Sequence, residues 1–64
     1  MNLFDVVALI EDQPDDGLAA GSVGTIVHVF DEPDLAYEVE FADADGRTIA
    51  MATLSPYQLR VCSS

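Results

Sequence analysis

The segment AYEVEFA, residues 36–42, alternates strictly: Tyr37, Val39 and Phe41 are apolar, while Glu38 and Glu40 between them are charged. A period of two belongs to an extended chain, whose successive side chains leave on opposite faces, so this is a strand with one buried and one wet face. A slip of one residue would drive both glutamates into the core, which fixes the register. DADG follows at 43–46 with a hairpin signal at Asp45 and Gly46, and RTIAMATL returns as the next strand. A lone hairpin cannot cover its own apolar face; more strands must come from the rest of the chain.

FDVVALI, residues 4–10, is β-branched and aromatic and too short for a helix, which makes it the first strand. EDQPDDGLAAGS then forms a long loop, acidic at its start and small at its end. In SVGTIVHVF, the second strand, Val23, Thr25, Val27 and Val29 share one face, and Gly24, Ile26, His28 and Phe30 the other. Apolar groups on both faces suit a strand that bends over a small barrel, and Gly24 is expected to mark the bulge or sharp coil that closure requires. DEPDL, residues 31–35, is a turn. SPYQ, residues 55–58, has Ser55 as a cap and Pro56 at the first position of a single 3₁₀ turn, and LRVC ends the set as a short strand. Tyr57 is expected to pack in the core, because a chain with no tryptophan and few aromatics lacks the usual makings of an aromatic peptide groove. The expected architecture is all-β: one domain over residues 1–64, a small five-stranded SH3-like barrel with a 3₁₀ turn before the last strand.

A chain of 64 residues has one small core, burying about 60% of the surface that its unfolded form exposes. Its one cysteine, Cys62, excludes an internal disulfide, and one histidine with one cysteine falls short of a structural zinc site, so neither metal nor cofactor is expected. Packing, with self-association left open, has to hold the fold. Twelve acidic residues against two arginines and no lysine give a net charge of -10, yet half of the residues are hydrophobic, which describes a folded acidic domain. Such a field repels phosphate backbones and attracts cationic surfaces, so the expected partner is a cationic protein and not a nucleic acid. The alternative is that the acidity only maintains solubility. No apolar run approaches the roughly 20 residues of a membrane span, and MNLFDVVALIED lacks the basic region of a signal peptide; a cytoplasmic location is expected.

Taken in order, FDVVALI, GSVGTIV, YEVEFADADGRT and LSPYQL resemble a family of very short bacterial proteins classed only as a domain of unknown function. The resemblance runs from about Phe4 to Val61 and implies an SH3-like fold without established chemistry. Members look like companions of small toxin-like or nuclease-like proteins, which implies an antitoxin or immunity role by association. GSVGTIV is also similar to the glycine-valine signature of KOW-type barrels. Those barrels carry basic loops, whereas the loops here are EDQPDD, DEPD and DADG.

Asp43, Asp45 and Gly46 echo part of a calcium loop, but Arg47, Thr48 and Ile49 follow where ligands would be needed, so a hairpin turn is the better reading. His28 has no nearby nucleophile or ligand, and Cys62 has only Arg60 as a basic neighbour. Glu38 and Glu40 are paired carboxylates, but on a wet face nothing separates their acidities for acid-base work. No nucleophile stands with its base, so an enzyme is not expected. The expected function is a protein-interaction module, with Asp12, Asp15, Asp16, Asp31, Glu32 and Asp34 on loops and Glu38 and Glu40 on the strand face as contact residues. A small accessory or regulatory subunit of an enzyme complex is the alternative.

Overall fold

Each segment of alternating or β-branched composition becomes a strand in the computed structural model, which describes residues 1–62. The strands are β1 (Val6–Leu9), β2 (Val23–Phe30), β3 (Ala36–Ala42), β4 (Thr48–Leu54) and β5 (Leu59–Val61). Two 3₁₀ turns, Pro14–Asp16 in the first loop and Pro56–Gln58 before β5, complete the elements. All pairings are antiparallel in one sheet of order β4-β3-β2-β1-β5.

The short link between β4 and β5 dictates the shape of this sheet. Laid flat, the sheet would hold β4 and β5 about 19 Å apart, at about 4.8 Å per strand. The five-residue step from Leu54 to Leu59 reaches about 17 Å at full stretch, and part of it is spent on the second 3₁₀ turn. The sheet therefore curls, and both end strands send side chains into one core. Ala52 and Leu54 of β4 and Leu59 of β5 join Val7, Leu9, Ile26, Tyr37, Val39 and Phe41 there.

Two bulges supply the bend. Ile26 pairs with Val39 and His28 with Glu38, so Val27 is an extra residue on β2; Phe41 pairs with Ala50 and Ala42 with Thr48, so Ile49 is an extra residue on β4. Each shortens the path on one side and raises the local twist. The bulge at Val27 also switches the faces of β2: Gly24 and Ile26 point inward before it, and Val29 packs against the core after it. This corrects the expected bulge at Gly24. The glycine is instead a point of close approach, where a Cβ would lie 2.7 Å from Val39 Cγ1 and 2.8 Å from the Glu40 carbonyl oxygen.

The first loop is more ordered than its composition implies. Gln13 and Leu18 exchange both backbone hydrogen bonds, at 2.8 and 3.0 Å, around the turn Pro14–Asp16. Gly17 takes the left-handed conformation at the end of that turn, with φ of 69°. The clip delivers Leu18 to the core, 6% exposed. Phe4, expected at the start of the first strand, lies outside β1 on the surface.

Candidate functional site

The carboxylates divide into those that accept hydrogen bonds from the protein and those that, among the described residues, accept none. Asp5 accepts a hydrogen bond from the Asn2 amide, and Asp12 accepts one from the Ala20 amide at 2.8 Å across the first loop. Asp43 accepts two, from the amides of Asp45 and Arg47 at 2.9 and 3.0 Å, and so knits the β3–β4 hairpin. Glu38 lies between His28 of β2 and Thr53 of β4, and accepts a bond from the Thr53 hydroxyl at 3.3 Å. Among the described residues, no protein hydrogen bond engages the carboxylates of Asp15, Asp16, Asp31, Glu32, Asp34 or Glu40.

Three of these unengaged groups come together. Asp31, Glu32 and Asp34 share the β2–β3 loop, all exposed. Asp15 and Asp16 sit on the first 3₁₀ turn, which touches β4, and Glu40 stands half-buried on the outer face of β3 between Thr25 and Met51. The eight carboxylates expected as contacts thus do not form one patch. Asp12 and Glu38 have structural partners, whereas Glu32 and Asp34 line a concave surface, with Asp31 beside them on the same loop.

That surface has two adjoining depressions that meet at Asp34. One, of about 350 Å³, is lined by Phe30, Glu32, Pro33, Asp34, Ala36 and Thr53. The other, of about 430 Å³, lies between Asp34 and Leu35 on one side and Ser55, Pro56 and Tyr57 on the other. The second 3₁₀ turn forms this wall because Pro56 opens it and the Ser55 amide donates to Gln58 Oε1 at 2.9 Å. Its far side abuts the end of β1, where the Ile10 amide donates to the Gln58 carbonyl at 2.9 Å, so the first acidic loop leaves the sheet beside the same turn.

Tyr57, expected in the core, is 87% exposed. Leu54 and Leu59 on either side of the turn fill the core positions, and the turn between them carries the tyrosine outward. Leu35 and Phe30 are also exposed, at 45% and 38%, and Phe30 packs edge-on against His28 with ring centroids 4.5 Å apart. Sequence reasoning missed all three.

Among the described residues, no group of three or more histidine, cysteine, aspartate or glutamate side chains is placed to hold a metal ion. Cys62 is a half-buried free thiol. Among the described residues, no helix is long and apolar enough to cross a membrane.

Fold and surface together define a class: a minimal all-β domain, one curled antiparallel sheet with an acidic loop and an exposed aromatic turn around a shallow apolar groove. The chain belongs to the family described as a domain of unknown function (DUF4926), whose model matches residues 3–61. Neither the curated proteins nor the solved structures hold a match to it.

Proposed function

We propose that this domain is a non-enzymatic protein-interaction module that engages a cationic protein surface. The observation that supports the reading is the meeting of two unengaged carboxylates, Glu32 and Asp34, with exposed apolar side chains on one concave surface, with Asp31 beside them on the same loop. Solubility alone would be served by charge anywhere; it does not account for apolar groups left in water beside that charge. Phosphate-bearing ligands are repelled by the same field. The order β4-β3-β2-β1-β5, with the last strand returning to the first across a 3₁₀ turn, fits an SH3-like barrel. The reading carries a cytoplasmic setting, and resemblance to short companion proteins suggests a basic toxin-like protein as the partner of an antitoxin- or immunity-type domain.

The test is kinetic. With a partner captured from the native host, association of the wild type should be fast and should slow as salt rises, because charges at a rim act on encounter. Charge reversal by Asp15→Lys, Asp16→Lys and Glu32→Lys should reduce the on-rate while the circular dichroism spectrum stays unchanged, since all three side chains are exposed. An on-rate indifferent both to salt and to the reversals would leave solubility as the only role of the charge.

A further inference from the structure

The concave surface at the β2–β3 loop has a more specific shape than an acidic patch requires. One of its two depressions is lined by the apolar groups of Phe30, Pro33 and Ala36, the other by those of Leu35, Pro56 and Tyr57. Asp34 lines both and stands where they meet. We propose that this groove docks an extended cationic peptide segment, with apolar side chains entering the two depressions and an arginine or lysine lying between them against Asp34. The proposal rests on the reading of the domain as a partner for cationic proteins, and names the segment and the place it binds.

Charge selects this occupant over the others that an apolar groove admits. A second copy of the chain would bring another surface of net charge -10 against Asp31, Glu32 and Asp34. Its arginines offer little relief at this surface: Arg47 lies by the hairpin at the opposite end of β3, and Arg60 lies on β5 opposite Ala8. A nucleic acid or an anionic lipid headgroup would meet the same repulsion. A polypeptide with basic residues has the complementary sign, and its apolar side chains can use the exposed Tyr57, Leu35 and Phe30. Exposed aromatics of this kind contribute most when a ligand desolvates them. Among the described residues, the carboxylate of Asp34 accepts no hydrogen bond, so pairing it with a cation breaks none of them.

Two fluorescein-labelled synthetic peptides of equal length and charge provide the test, one alternating arginine with leucine and proline, the other alternating arginine with serine. Binding is read by fluorescence anisotropy, and the contact surface by amide chemical-shift changes on the ¹⁵N-labelled chain. The expected result is tighter binding of the apolar peptide, with shifts at Phe30, Asp34, Leu35 and Tyr57. Tyr57→Ser and Leu35→Ser should each weaken that peptide by about tenfold and leave the serine peptide unaffected. Both side chains are exposed, so neither substitution disturbs the core. Equal, salt-dependent binding of the two peptides, with shifts spread over Asp15, Asp16 and Glu40, overturns the groove but leaves the cationic-partner reading in place. Binding of neither peptide overturns the groove and also counts against that reading.

Discussion

Gly24 shows how a single missing Cβ sets the packing of this domain. It sits opposite Val7 on β1 and Phe41 on β3, in a crowded part of the sheet. A methyl group there would meet Val39 Cγ1 at 2.7 Å, the Glu40 carbonyl oxygen at 2.8 Å and Phe41 Cδ1 at 2.9 Å. The side chains could turn aside only by disturbing their own packing, and the carbonyl belongs to a strand paired on both sides. Gly24→Ala is therefore expected to destabilise the fold by about 1–3 kcal/mol, the usual range for overpacking. Denaturant titration should show a lower midpoint at an unchanged slope, and an unchanged midpoint would mean that the core has room that this geometry denies it.

Among the elements, the β3–β4 hairpin depends on one carboxylate. Asp43 Oδ1 accepts from two amides, and the Asp43 amide donates to the Arg47 carbonyl at 2.9 Å. Asp43→Ala should cost about 1 kcal/mol, whereas Asp43→Asn, which keeps the accepting oxygen, should recover most of it. Thermal melts of the two variants distinguish a hydrogen-bonding role from a charge role: equal losses would point to charge. This hairpin was legible in the sequence because alternation in AYEVEFA and the Asp-Gly pair specify it locally. The bulge at Val27 was not. SVGTIVHVF carries apolar residues on both faces, so a switch of parity within it leaves no trace in composition, and only pairing with β3 reveals it. The acidic character of the site was equally plain, but its concave shape was hidden. Phe30 and Leu35 flank one loop, whereas Tyr57 comes from the turn before β5, and the curl of the sheet brings that turn beside the loop. Tyr57 was misplaced because apolar character argues for burial on average, and only the path of one 3₁₀ turn decides otherwise.

At the scale of the whole molecule, the charge acts on folding as well as on binding. Twelve carboxylates and two arginines occupy a body of 33 × 26 × 18 Å. At an ionic strength of about 0.01 M the screening length is about 30 Å, so nearly every carboxylate acts on every other; at about 0.15 M it is about 8 Å, and only neighbours interact. Compaction brings like charges closer than in the unfolded chain, and their repulsion opposes folding. The thermal midpoint should therefore rise with sodium chloride, most steeply over that interval. Asp45→Lys provides an internal control. Its carboxylate accepts no hydrogen bond among the described residues, and the groove lies at the other end of β3, so the substitution changes the field, removes no side-chain hydrogen bond of the turn and spares the candidate site. It should raise the midpoint at low salt, and the gain should shrink as salt is added. A midpoint that is flat or falls with salt, in the wild type and the variant alike, would show that the acidic loops are spaced widely enough to fold without cost, and that their charge bears on encounter alone.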